Sequence, residues 1–258
     1  MDAIVIAGGI PQPGEPLYEF TQGKNKALLD ICGKPMIQWV LDALCAATTI
    51  DRVVVIGLPD GSGVTCPKVV AWIPNQGGLL ENIRTGLDKT LEVNPQAVHI
   101  LSVSSDIPAI TPEMVDWVVN TAMQTDDDAY YNVISRQVME AHYPNSRRSY
   151  VRLKDMEVCG GDMNVLRARL GTENDATWKK IIAARKSALK QAALIGYDTA
   201  IMLFLHLITL DQAVKMVSRR LHLSGRAVVC PHAEIGMDVD KPFQLEIIRA
   251  DLSRRGAA

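Results

Sequence analysis

The feature that most constrains the fold is a short apolar run near the start of the chain, Ala3-Ile-Val-Ile-Ala7, which ends at Gly8-Gly9. A continuous apolar run of this length is typical of a strand that is buried on both faces of a parallel sheet. The glycine pair that follows predicts a loop whose backbone N–H groups can approach a ligand closely, because no Cβ stands in the way. Such a strand requires helices on both sides of its sheet.

Strand and helix patterns alternate along the first half of the chain. The predicted elements are strands at Val53–Ile56, Val69–Ile73 and Val98–Val103, and helices that begin after Gly33-Lys34-Pro35, span Leu79 to Leu91, and begin at Thr111-Pro112. Thr111 is the expected N-cap of the last of these helices, with proline in its first turn. This alternation predicts a three-layer α/β/α fold around a mostly parallel sheet.

The pattern changes after Asp126-Asp-Asp128. Tyr130–Val138 and Tyr150–Leu153 have strand-like composition with no helix between them, which predicts antiparallel or mixed pairing. A helical insertion is predicted near 173–223, followed by a strand at Arg226–Cys230 and a closing helix from Pro242 to Leu252. No linker or repeat interrupts the chain, so we predict one domain over residues 1–258.

Composition narrows the classes of function. With 27 Lys and Arg against 29 Asp and Glu, the chain lacks the basic excess of a nucleic-acid-binding protein. Five scattered cysteines argue against a disulfide framework, and Met1-Asp2 leads into the first strand without a signal peptide, so we expect a cytoplasmic location. The apolar stretch from Ile201 to Leu210 is about half the length of a membrane span. We therefore expect a buried helix there and no membrane span; the oligomeric state stays open.

Three polar segments follow predicted strands, where ligands bind in open parallel sheets. They are Gly8-Gly9, Gln76-Gly-Gly78 and Asp106. The glycine pattern is neither a dinucleotide fingerprint nor a P-loop. Asp106, in a Ser-Ser-Asp-x-Pro turn, is either a magnesium ligand or a turn cap.

A second pair of carboxylates lies near the end of the chain, at Asp238 and Asp240. Alternation along an extended segment places both on one side. Asp240 precedes Lys241-Pro242, so it is also a candidate N-cap of the closing helix. Lys26, which follows the long loop after Gly9, is either a phosphate contact or a solvated lysine.

Together these segments resemble the molybdenum-cofactor guanylyltransferase-like (MobA-like) NTP transferases, which have the nucleotide-diphospho-sugar transferase fold. The matching segments are Ile6-Ala7-Gly8-Gly9, Lys26-Ala-Leu-Leu-Asp-Ile-Cys-Gly33-Lys-Pro35-Met36-Ile37, Ser105-Asp106-Ile107-Pro108 and Asp238-Val-Asp240-Lys-Pro242-Phe-Gln-Leu245. The resemblance implies an Mg²⁺-dependent enzyme that transfers NMP from an NTP, GTP or CTP first, to a small phosphorylated acceptor and releases pyrophosphate. It implies a nucleotide-binding half at about 1–125 and an acceptor-binding half at about 126–258.

The resemblance also assigns roles to individual residues. It implies catalytic roles for Lys26 and Asp106, and Mg²⁺ binding by Asp106 and Asp240. The implied nucleotide-binding residues are Ala7, Gly8, Gly9, Lys26, Gln76, Gly77, Gly78 and Asn82. The candidate acceptor-binding residues are Gly160, Gly161, Asp162 and Asp238.

The chain departs from the family pattern in the loop after Gly9. Relatives carry an arginine there, whereas residues 10–25 contain none and include Glu15 and Glu19. Two alternatives therefore stay open: a glycosyltransferase that uses a nucleotide sugar, although Asp106-Ile107-Pro108 lacks the D-x-D pattern of such enzymes, and a non-catalytic nucleotide-binding module. The basic residues Arg147, Arg148, Arg152 and Lys154 either hold an acceptor phosphate or form a solvated strand face.

Overall fold

The structure is a computed structural model that describes residues 1–59, 62–173 and 195–256. The strands of this part of the chain are β1 (Asp2–Ile6), β2 (Asp30–Ile31), β3 (Lys34–Pro35), β4 (Val53–Ile56), β5 (Val69–Ile73), β6 (His99–Ser104), β7 (Ala129–Ser135), β8 (Val151–Arg152), β9 (Glu157–Gly160), β10 (Met163–Arg167) and β11 (Gly225–Cys230). The helices are α1 (Tyr18–Thr21), α2 (Met36–Ala46), α3 (Leu79–Val93), α4 (Pro112–Ala122), α5 (Arg136–His142), α6 (Leu170–Glu173), α7 (Tyr197–Phe204), α8 (Leu210–Leu221) and α9 (Pro242–Gly256).

One nine-stranded sheet organises the described residues. Its order is β5-β4-β1-β6-β10-β7-β9-β8, and β11 pairs with the free side of β7. The strands from the first half of the chain, β5, β4, β1 and β6, are parallel. β10 then runs antiparallel between β6 and β7. The prediction of a three-layer, mostly parallel and mixed sheet is confirmed.

Alternate residues of the central strands face two different cores. Ala3 and Val5 of β1 pack in the larger core, with α2, α4 and α9. Ile4 and Ile6 point to the other face, where they pack with α3. Because β1 is buried on both faces, Ala3–Ile6 of this strand is continuously apolar, as is typical of a central parallel strand.

Local signals set several element boundaries. The hydroxyl of Thr111 accepts a hydrogen bond from the Met114 amide at 3.4 Å, which confirms Thr111 as the N-cap of α4. The strand expected over Tyr130–Val138 ends instead at Ser135. Its hydroxyl accepts from the Val138 amide at 3.2 Å and begins α5, so the prediction that no helix follows this strand was wrong.

The expectation of a buried helix over Ile201–Leu210 was also wrong. The side chains of Ile201, Phe204 and Leu207 are 59%, 81% and 58% exposed. The helix stops because His206 takes a left-handed conformation (φ 55°) and the Leu207 amide donates to the Met202 carbonyl, as in a Schellman cap. The apolar stretch is thereby divided into a short helix and a turn, and only part of it faces the sheet.

The helical insertion predicted near 173–223 is described only in part. Residues 174–194 lie outside the described residues, whereas α7 and α8 form the later part of the segment. None of the described helices is both long enough and apolar enough to cross a membrane.

Candidate active site

A polar cavity of about 410 Å³ opens at the carboxyl ends of β1 and β6. It lies on the sheet face that carries Ile6, Ser102 and Ser104, and the first turn of α3 closes one side. The candidate residues that line it are Gly8, Gly9, Lys26, Gly77, Gly78, Asn82, Asp106, Asp162, Asp238 and Asp240. The candidates Ala7, Gln76, Gly160 and Gly161 lie outside its lining.

The glycine loop after β1 is packed tightly against the end of β4. A Cβ on Gly57, which has φ +102°, would lie 2.3 Å from the Gly8 nitrogen and 2.5 Å from the Ala7 carbonyl carbon. Asn25 ties the two segments together, since its amide group donates to the carbonyl oxygens of Ala7 (2.6 Å) and Gly57 (3.0 Å). Asn25 and the close packing of Gly57 therefore hold the backbone of the loop in place.

Two asparagines, Asn75 and Asn82, link the glycine loop to the segment that precedes α3. The Asn75 amide group donates to the Gly8 carbonyl at 2.9 Å, and its Oδ1 accepts from Asn82 Nδ2 at 3.0 Å. Asn82 is 2% exposed, and its Oδ1 accepts from the Gln76 amide at 2.7 Å. A Cβ on Gly8 would lie 2.6 Å from Asn82 Nδ2, so glycine is required where this network meets the loop.

Lys26 occupies the centre of the cavity's charged side. Its ammonium Nζ lies 2.6 Å from Asp106 Oδ2 and 2.6 Å from Asp240 Oδ1. Burial by itself would lower the pKa of Lys26, but the two carboxylates outweigh it and raise that pKa above its usual value, so the ammonium stays charged.

Backbone pairing brings these distant residues together. The Val239 amide donates to the Asp106 carbonyl at 2.9 Å, which docks the segment that carries Asp240 beside the end of β6. The Ser105 amide donates to the Ile6 carbonyl at 3.0 Å, which fixes the same turn against β1.

A third carboxylate, Asp162, faces the same pair. Burial, followed by the negative charge of Asp106, raises the pKa of Asp162 to about 7. Asp106 Oδ1 and Asp162 Oδ2 are both buried without a hydrogen-bond partner in the described part of the chain. Unpaired buried carboxylate oxygens are costly, and Mg²⁺ is a partner that would satisfy them, because it prefers hard oxygen ligands.

The carboxylates therefore fit a magnesium ion. Among the described residues, no three His, Cys, Asp or Glu side chains form a ready-made metal site. Mg²⁺ is usually held by one or two carboxylates together with substrate phosphates and water. Asp106 and Asp240 are the carboxylates that would hold it, and the phosphates would come from the nucleotide.

The side of the cavity that carries Asp238 contains a largely buried ion pair. Arg148 Nη1 bonds Asp238 Oδ1, and both side chains are 15% exposed. Gly160 and Gly161 pack against β7 instead: a Cβ on Gly160 would collide with the Tyr131 hydroxyl at 2.2 Å, and one on Gly161 would press on the Asn132 carbonyl at 3.1 Å. Of the basic residues Arg147, Arg148, Arg152 and Lys154, Arg148 is the one placed at the site.

Sequence reasoning missed Asn25, Asn75 and Lys241. The two asparagines act through backbone carbonyls far away in sequence, and no local pattern marks such contacts. A second polar cavity of about 460 Å³ shares Gly9, Lys26 and Asp240 with the first and is also lined by Lys241. The sequence does show a lysine next to Asp240, but whether the Lys241 side chain lines the cavity depends on the tertiary structure.

The fold is similar to that of solved nucleotide-binding and transferase structures. The chain is 31% identical to a hypothetical transferase from Thermus thermophilus, with a TM-score of 0.82 over 95% of this chain and 98% of that one. A CMP:2-keto-3-deoxy-manno-octonic acid synthetase in complex with CTP shares the fold at 18% identity, with a TM-score of 0.58 over 98% and 99% of the two chains.

Sequence relatives cover a shorter part of the chain. The 3-deoxy-manno-octulosonate cytidylyltransferase of Geobacter sulfurreducens is 33% identical over 105 residues, 38% of this chain and 39% of the relative. The corresponding enzyme of Geotalea uraniireducens is 27% identical over 131 residues, 48% of this chain and 49% of the relative. The chain thus matches less than half the length of these two enzymes. The profile of the MobA-like NTP transferase domain matches residues 3–193, and the chain belongs to that family.

Proposed function

We propose that this protein is an Mg²⁺-dependent nucleotidyltransferase that moves NMP from an NTP to a small phosphorylated acceptor. The observation that carries the proposal is the placement of Lys26 between Asp106 and Asp240, directly beside the glycine loop. A glycine loop and a largely buried ammonium with a raised pKa suit a triphosphate. Carboxylates with unpaired oxygens suit the metal that accompanies it.

The residues of the cavity would act mainly by alignment and charge. Gly8, Gly9 and the N-terminus of α3 would bind phosphate oxygens through backbone N–H groups. Lys26 would leave its carboxylate partners for the phosphates, and Mg²⁺ held by Asp106 and Asp240 would neutralise phosphate charge. An acceptor oxygen then attacks the α-phosphorus, and pyrophosphate leaves. Such a transfer needs no covalent intermediate on the protein.

Lys241 is the residue we assign to the leaving pyrophosphate. The loop after Gly9 contains no arginine, and it forms the second polar cavity with Lys26 and Lys241. Lys241, in the lining of this cavity, would supply the positive charge that an arginine in the loop would otherwise give. This assignment favours a transferase over a non-catalytic module.

CTP is the nucleotide we place first. The sequence relatives from Geobacter and Geotalea are named as cytidylyltransferases, which favours CTP over GTP for this chain. The acceptor would enter from the side of Asp162 and Asp238, next to Arg148. The five cysteines are free, and we expect the enzyme to work in the cytoplasm.

The test measures binding first and chemistry second. Thermal stability is recorded with CTP, GTP, ATP and UTP, each with and without Mg²⁺. A ligand at a hundredfold excess over its Kd stabilises the folded state by about 2.7 kcal/mol, so a magnesium-dependent shift with CTP is expected. Pyrophosphate release is then assayed over a panel of sugar and polyol phosphates.

Two variants make this test specific. Asp106→Asn is expected to lose the magnesium-dependent shift. Asp42→Asn removes a Lys–Asp pair outside the cavity, with Lys34 at 2.8 Å, and is expected to keep it. If Asp106→Asn keeps the magnesium-dependent shift as Asp42→Asn does, the result would point to a non-catalytic module. A shift with a nucleotide sugar but with no NTP would point to a glycosyltransferase.

A further inference from the structure

A separate cavity of about 400 Å³ lies under α8. Its floor is formed by β7, β9 and β11, and α7 and α8 cover it. Most of the side chains that line it are apolar, among them Val133, Leu153, Leu203, Val214, Val217 and Leu221. Its size lies within the range of small-molecule pockets, which is about 300–1,000 Å³.

The apolar cavity lies on the same sheet face as the polar cavity. Asn164 of β10 pairs with Ser102 of β6, and both line the polar cavity. Leu166, two residues further along β10, pairs with Ala129 of β7, which lines the apolar cavity. Paired residues, and residues two apart on a strand, share a face. The floor of the apolar cavity therefore begins one strand beyond the polar cavity, a step of about 4.8 Å.

The turn between β9 and β10 contributes residues to the lining of both cavities. Gly160 lines the apolar cavity, and Asp162, two residues later, lines the polar one. Two residues of extended chain span at most about 7 Å. The absence of a Cβ at Gly160 leaves room for the Tyr131 hydroxyl, which would otherwise lie 2.2 Å from it.

Arg148 stands at the same junction. It bonds Asp238 in the polar cavity. Burial and the charge of Asp162 raise the pKa of Tyr131, a residue of the apolar cavity, and the nearby charge of Arg148 opposes that rise. Arg148 Nε is buried and has no hydrogen-bond partner within the described residues. A guanidinium with an unused donor is suited to an anionic oxygen.

We infer that the acceptor is amphipathic: its anionic group binds beside Arg148, and an apolar substituent enters the cavity under α8. The inference rests on the proposed function, because the acceptor is the second substrate of that reaction. The nearness of the two cavities at Gly160 and Asp162, and the cation beside that turn, favour this occupant over a protein partner, which would cover the outer surface of α8 and would not need a cation at the inner end of the cavity.

The experiment uses the full chain and n-alkyl phosphates from methyl to octyl, below their micelle concentrations, with binding measured by calorimetry. Each methylene buried is worth about 0.8 kcal/mol, so affinity is expected to rise about fourfold per carbon. n-Octanol, which has no anionic group, is expected to bind at least tenfold more weakly than octyl phosphate. Affinity that is independent of chain length would overturn the inference.

Variants then locate the binding. Val217→Trp and Ala213→Phe fill the cavity from α8 and are expected to abolish the dependence on chain length. Lys215→Trp places a large side chain on the exposed side of the same helix and is expected to retain it. Arg148→Lys and Arg148→Gln test the anion contact, and the glutamine variant is expected to bind octyl phosphate about tenfold more weakly.

The outcomes separate this inference from the proposed function. If CTP and Mg²⁺ stabilise the protein but alkyl phosphates show no dependence on chain length, only the amphipathic acceptor is refuted. If no nucleotide binds, the transferase is refuted, whatever the alkyl series shows. Light scattering supplies a further check: a dimer that Val217→Trp converts to a monomer would assign the cavity to a second copy of the chain and overturn the inference.

Discussion

Gly57→Ala offers a direct test of how the nucleotide loop is supported. Gly57 has φ +102°, and a Cβ there would lie 2.3 Å from the Gly8 nitrogen and 2.4 Å from the Gly8 Cα. Carbon contacts are ordinarily about 3.5–4.0 Å, so the backbone must separate by roughly 1 Å. A flexible side chain cannot absorb this displacement, because the atoms in contact belong to the main chain.

The loss of folding free energy in Gly57→Ala has two parts, which the matched variant Gly33→Ala separates. A non-glycine residue in the left-handed region costs about 1–2 kcal/mol, and overpacking adds about 1–3 kcal/mol. Gly33 has φ +81°, and no atom lies within 4 Å of the position that a Cβ would take there, so Gly33→Ala carries the first cost alone. We expect Gly57→Ala to lower the free energy of unfolding by about 2–5 kcal/mol and Gly33→Ala by about 1–2 kcal/mol.

Calorimetry and nucleotide binding both report on this difference. At about 2–4 °C per kcal/mol, the melting temperature of Gly57→Ala should fall well below that of Gly33→Ala. Displacement of Gly8 should also weaken CTP binding at least tenfold, whereas Gly33→Ala should leave it unchanged. Equal melting temperatures for the two variants would refute the close approach of Gly57 and Gly8.

Two further predictions concern charge. Lys26→Met leaves Asp106 and Asp240 without their cation and should lower the free energy of unfolding by about 1–3 kcal/mol at pH 8, as measured by urea unfolding. Hydrogen bonds from Thr48–Thr49 outweigh burial and hold the pKa of Asp116 at about 2, against 3.8 in the unfolded chain. Because that pKa is depressed, Asp116 stabilises the fold above pH 4 and loses this effect as the pH falls towards 2. Asp116→Asn should therefore lower the free energy of unfolding by about 1 kcal/mol at pH 7 and by almost nothing at pH 2. Thermal unfolding at the two pH values measures both effects.

Local sequence patterns were sufficient for the central part of the fold. A buried parallel strand must be apolar on both faces, so Ala3–Ala7 could be identified without knowledge of its neighbours. Thr111-Pro112 marked a helix start because capping depends on atoms within one turn. Tyr130–Val138 showed the limit of such patterns, since Ser135 caps a helix inside a segment whose composition favours strand.

Sequence motifs identified three candidate residues, Lys26, Asp106 and Asp240. Their contact with one another could not be predicted from the motifs, because it depends on the tertiary structure. Lys26 meets Asp106 across 80 positions and Asp240 across 214, and strand register with the Val239–Asp106 backbone bond makes that meeting possible. The exposure of Phe204 and the nearness of the two cavities likewise depend on which sheet face each element covers. Hydrophobic periodicity indicates that a helix or strand has an apolar face and a polar face. Which other segment each face packs against is determined by the tertiary structure, because the contacting segments are distant in sequence.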